Sequence, residues 1–143
     1  MISERQIADL FTQGFDCSQV VFTSVVGKFG MDAGTAYRLS AGFGGGMMRG
    51  LTCGAVVGAI MALGLKYGHH EPNTPDRKNL MMAKTLEFQQ RFMEIYPSTV
   101  CRELLGYDVN NPDEMKIILD KGLFFDFCPK VVAHSIGVLE ELI

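Results

Sequence analysis

Apolar residues recur every three or four positions along nearly the whole chain, and no stretch shows sustained apolar–polar alternation closed by turn pairs. This periodicity predicts an all-α protein, a single-domain bundle of about seven or eight helices. Ser3 and Gln6 have capping-box spacing at the start of a helix over Glu4–Gln13 that buries Ile7, Leu10 and Phe11 and stops at Gly14. Asp16 can cap a second helix, from Cys17 to about Lys28, with Gly30 ending it. Asp32 opens a third, which leads into a glycine-rich loop. A fourth helix, Cys53 to about Lys66, takes Thr52 as N-cap and ends at Gly68. Thr74-Pro75 begins the longest helix, Asp76 to about Tyr96, and Pro97 ends it. Charge concentrated between Asp76 and Arg91 marks a solvated face on that helix. Short helices follow at Thr99–Leu105 and Pro112–Lys121, the latter capped by Asn111, and a last one covers Pro129–Leu142.

With 143 residues, 48% of them hydrophobic, the chain can bury a core without staples. The net charge of −3 and the scattered basic residues argue against a nucleic-acid partner. The longest uncharged stretch, Gly50 to Leu65, is shorter than the roughly 20 residues of a membrane span. It reads as a buried helix, and no membrane partner is expected. The opening residues lack the basic and apolar regions of a secretory signal, so the expected compartment is the reducing cytoplasm. There, cysteines serve metal binding or redox chemistry more often than structural disulfides.

The chain has four cysteines, Cys17, Cys53, Cys101 and Cys128, with no C-x-x-C pair among them. Zinc ribbons, thioredoxin-type motifs and heme attachment therefore lack their local signatures. What the four share is position at or near a helix start, and helix starts can converge on one cofactor site. Unpaired N–H groups and the macrodipole favour thiolate over thiol there. Cys53 stands out because it follows the segment Gly42-Phe-Gly-Gly-Gly-Met-Met-Arg-Gly50, and Arg49 adds positive charge nearby. It is the expected nucleophile if the chemistry is thiol exchange. Buried cysteines that merely fill a core are the plain alternative.

These residues resemble a known family of redox-active four-cysteine proteins labelled C_GCAxxG_C_C, which carry a C-G-A-x-x-G motif. Here the motif is Cys53-Gly54-Ala55-Val56-Val57-Gly58, with Cys17 before it and Cys101 and Cys128 after it. The likeness extends to Phe15-Asp16-Cys17-Ser18-Gln19, Phe43-Gly44-Gly45-Gly46-Met47 and Cys101-Arg102-Glu103-Leu104-Leu105-Gly106. The resemblance implies a redox function. A similar domain occurs in split-Soret-type cytochromes, beside hemes and an additional iron centre. This chain has no C-x-x-C-H, so no covalent heme is implied.

Gly44, Gly45 and Gly46 can bring backbone N–H groups close to the sulfur site, and with Gly54 they are the candidate cofactor-contacting glycines. They do not form a nucleotide motif, since no G-x-x-x-x-G-K-[ST] is present. Gly54, Gly58 and Ala62 give the Cys53 helix a small face, suited to close helix packing within the chain or across a homodimer. His134 is a candidate ligand only because histidine can replace cysteine around an iron–sulfur cluster. His69 and His70, adjacent on a loop, are expected to be exposed. Met47, Met48, Met61, Met81, Met82 and Met93 are expected to fill core gaps.

Three functions follow. The first is electron transfer through an iron–sulfur cluster, most simply [2Fe–2S], held by Cys17, Cys53, Cys101 and Cys128, with an unidentified redox partner. The second is thiol–disulfide exchange with Cys53 as nucleophile. The third is a helical module that binds zinc or a small ligand without electron transfer. The even spread of the cysteines favours the cluster, because disulfide enzymes usually keep their pair local.

Overall fold

The computed structural model describes all 143 residues, Met1–Ile143, and contains helices and no strand. The helices are α1 (Glu4–Thr12), α2 (Cys17–Thr23), α3 (Ala33–Ser40), α4 (Gly54–Tyr67), α5 (Pro75–Phe92), α6 (Cys101–Leu105), α7 (Pro112–Asp120), α8 (Leu123–Asp126) and α9 (Cys128–Leu142). The last two run on from each other across a break at Phe127, so the rods number eight. The expected caps form: Ser3 and Gln6 close a capping box, Asp32 accepts from Thr35 N–H, and Asn111 accepts from Asp113 and Glu114 N–H.

Helix α4 is the axis of the bundle because its sequence is apolar nearly all round. Ala55, Val56, Ala59, Ala62 and Leu63 are fully enclosed, and α2, α5 and α9 pack around them. The approach of α2 is set by two missing side chains. A β-carbon on Gly58 would lie 2.6 Å from the Ser18 carbonyl oxygen, and one on Gly54 would lie 2.5 Å from Cys17 Sγ. The small face foreseen in the sequence is thus a contact inside this chain. Polar groups within it are satisfied: Ser18 Oγ donates to Ser40 O at 2.8 Å and Ser135 Oγ to Ala55 O at 2.7 Å.

Around α4 the main core takes side chains from α1, α2, α5 and α9, with Phe88 and Phe92 the only residues α5 buries. The charges of α5 are exposed or half-buried, Met81 packs against the core, and Leu80, Leu86 and Met82 stand exposed, Met82 against the expectation that it fills the core. A smaller core gathers Cys101, Leu105 and Ile118 with flanking residues of α7 and α8. Phe127 packs against both. The two cores meet at a seam, and the cysteines lie along it.

Three boundaries differ from expectation. Helix α2 ends at Thr23, where the Thr23 and Ser24 hydroxyls bond back to Gln19 O and Val21 O and the chain tightens into a 3₁₀ turn over Val26–Phe29. Helix α5 ends at Phe92, before the turn that carries Tyr96 to Pro97. Helix α6 starts at Cys101 because the residues before it do other work: Thr52 and Val100 form an isolated antiparallel bridge. In it Cys53 N–H donates to Thr99 O at 2.7 Å and Cys101 N–H to Leu51 O at 2.6 Å.

Candidate functional site

The seam opens into a cavity of about 280 Å³ walled mainly by apolar side chains, among them Phe11, Phe15, Leu104, Phe124, Phe127 and Val131. All four cysteines line it, as free thiols. Each arrives from a different helix start. Cys17, Cys101 and Cys128 are the first residues of α2, α6 and α9, and Cys53 is the N-cap of α4, one position later than the Thr52 cap expected. The bridge beside Cys53 and Cys101 fixes the spacing of those two backbones.

The glycine loop supplies the least usual backbone in the chain. Gly45, Gly46, Met47 and Met48 all have φ near +60°, which makes one left-handed turn, closed by Leu51 N–H donating to Gly46 O at 3.1 Å. For the two methionines this costs about 1–2 kcal/mol each. The turn aims the Gly45 N–H at the Cys17 sulfur. Of the four glycines singled out in the sequence, Gly45 alone lines the cavity. The others act through contact. A β-carbon on Gly44 would lie 2.5 Å from Asp16 Cβ, one on Gly46 2.3 Å from Leu51 N, and one on Gly54 2.5 Å from Cys17 Sγ.

Electrostatics separate the thiols. Cys17 receives hydrogen bonds from the Cys53 thiol and from the Gly45 and Ser18 N–H groups, which hold its pKa below the ordinary thiol value despite burial and the neighbouring Asp16 charge. Cys53 is pushed well above it, by donating to Cys17, by burial and by the Cys17 charge, with only the Ala55 N–H acting the other way. Cys101 is pushed up to about 12 by burial and by the charges of Cys17 and Asp108. Cys128 is raised further, again by burial first. The helix start alone suggested Cys53 as the acidic sulfur. The hydrogen bonds make Cys17 the more acidic sulfur instead, because its donors come partly from a loop distant in sequence.

Residues that the sequence reading passed over also build the site. The run Phe124-Phe125-Asp126-Phe127 before Cys128 puts three aromatic rings on the wall, and Asp16, whose carboxyl pKa burial raises, adds a polar group. An aromatic run abutting a cysteine was the available signal. His134 stands outside the cavity; its Nε2 lies 3.1 Å from Phe92 O and its ring packs between Phe92 and Tyr96.

The motif Cys53-Gly54-Ala55-Val56-Val57-Gly58 now has a physical account. Cys53 faces the cavity, Gly54 leaves room for the Cys17 sulfur, Ala55 O takes the Ser135 hydroxyl, and Gly58 admits the Ser18 backbone. No three of the chain's histidine, cysteine, aspartate and glutamate side chains surround one point as a single metal ion requires. A four-cysteine [2Fe–2S] cluster instead takes two sulfurs on each of two irons. All four thiols line one cavity, which is the number of sulfurs such a cluster takes. The donor set fits that group.

The family model described as putative redox-active protein (C_GCAxxG_C_C) matches residues 15–142, and the chain belongs to that family. No curated protein and no solved structure matches it.

Proposed function

We propose that this redox-active protein is a one-electron carrier whose four cysteines hold a [2Fe–2S] cluster. The observation that carries the reading is the meeting of Cys17, Cys53, Cys101 and Cys128, from four separate helix starts, around one apolar cavity. Bound there, the cluster would accept and release single electrons. The chain's own residues supply the rest. Phe11, Phe15, Phe124 and Phe127 keep water from the sulfurs. The N–H groups of Gly45 and Ser18 on Cys17, and of Ala55 on Cys53, stabilise negative sulfur and would shift the potential upward. Cys53, Cys101 and Cys128, protonated in the metal-free chain, give up protons on ligation.

Serine variants at each cysteine, produced and purified without oxygen, test the ligand set. The expected outcome is loss of iron in every variant while far-ultraviolet dichroism stays helical. Full iron content in any one of them would remove that cysteine from the set and overturn the four-ligand assignment.

A further inference from the structure

Cys17 and Cys53 both line the cavity in the metal-free fold, and each acts on the other's acidity. Independently, the β-carbon that Gly54 lacks would fall 2.5 Å from Cys17 Sγ, so that sulfur lies directly against the backbone adjoining Cys53. Cys17 is half-buried and Cys53 buried, so of these two a small molecule entering the cavity meets Cys17 first.

From this placement we infer that Cys17 and Cys53 form a dithiol–disulfide couple in the metal-free chain, with Cys17 attacking a low-molecular-weight disulfide and Cys53 resolving the product. The Cys17 thiolate attacks one sulfur of the disulfide RSSR; the Cys17–SR bond forms, the S–S bond breaks, and RS⁻ leaves. Cys53 then attacks the Cys17 sulfur, the intrachain S–S bond forms, and the second RS⁻ leaves. The two protons lost by the protein thiols end on the two RS⁻ groups. Two protein thiols are oxidised by two electrons, and one RSSR is reduced to two RSH. The sequence reading placed the nucleophile at Cys53; the geometry exchanges the two roles.

This couple is independent of the cluster. One consequence rests on the cluster reading: the disulfide removes two of the four sulfurs, so the oxidised chain would not load iron until reduced.

The experiment uses reduced, metal-free protein and oxidised glutathione, with alkylation of remaining thiols at timed points and disulfide mapping by peptide mass spectrometry. The first intrachain bond expected is Cys17–Cys53, with two of the four thiols lost. Cys53→Ser should accumulate glutathione on Cys17. A first bond that includes Cys101 or Cys128, first capture of glutathione at Cys53, or four unreacted thiols would each overturn the inference. Mapping of the unaltered chain decides the matter even if the variant fails to fold. Should the disulfide form but the reduced chain bind no iron, the cluster reading fails and the couple stands.

Discussion

Gly54→Ala adds one methyl group where the structure has no room for it. Its carbon would lie 2.5 Å from Cys17 Sγ, 2.8 Å from Phe43 O and 3.1 Å from Ser18 N. Two of these neighbours are backbone atoms and the third is held by hydrogen bonds, so α4 must move away from α2. Overpacking of this kind costs about 1–3 kcal/mol. Alanine in a helix recovers about 0.5–1 kcal/mol relative to glycine, and less than that in the first turn. The net loss is therefore about 1–2 kcal/mol, or a fall in Tm of about 2–8 °C for a domain of this size. Gly137→Ala is the matched control. It lies inside α9, and its added carbon would meet nothing within 4 Å. It should stabilise by about 0.5–1 kcal/mol. Thermal and urea unfolding of the reduced, metal-free proteins would measure both, without a ligand contribution to stability. Equal effects of the same sign at the two glycines would refute the packing argument.

Metal binding should strengthen steeply with pH, because Cys53, Cys101 and Cys128 hold protons that ligation must displace. Zinc or iron(II) titrations between pH 6 and 8 should show log K rising by about one unit per pH unit for each proton released; a flat profile would contradict the raised thiols. The metal-free protein should lose stability above pH ~9, by up to about 1.4 kcal/mol per pH unit for Cys101 alone. The sign follows from protons bound: unfolded thiols ionise near 8.5 whereas buried Cys101 holds its proton to about 12, so rising pH favours the unfolded chain. Urea midpoints at pH 7, 9 and 10.5 would check it, and a constant midpoint would refute it. Met47→Gly should stabilise by about 1 kcal/mol, because Met47 is exposed and its backbone is left-handed; a loss in a urea melt would show that its side chain matters more than its φ.

Much of the architecture was legible in the sequence because it rests on local rules. Capping residues Ser3, Asp32 and Asn111, and the stop at Gly14, act within one helical turn. The placement of the cysteines at helix starts was visible for the same reason. What escaped depends on contacts between distant segments. Nothing in Met47-Met48 favours a left-handed turn; the surrounding glycines and the Gly46–Leu51 closure impose it. The Thr52–Val100 bridge joins residues far apart in the chain and moves the start of α6. The acidity of Cys17 was hidden because the Gly45 N–H reaches it across the fold.

The most direct measurement is a potentiometric titration of anaerobically purified protein, followed by visible absorption and electron paramagnetic resonance, with iron and acid-labile sulfide determined on the same sample. The account predicts two irons and two sulfides per chain, and bands that bleach along a one-electron Nernst curve to give a paramagnetic reduced state. A protein that carries one zinc per chain, or that takes up no iron and sulfide when reconstituted in the reduced state, would contradict it.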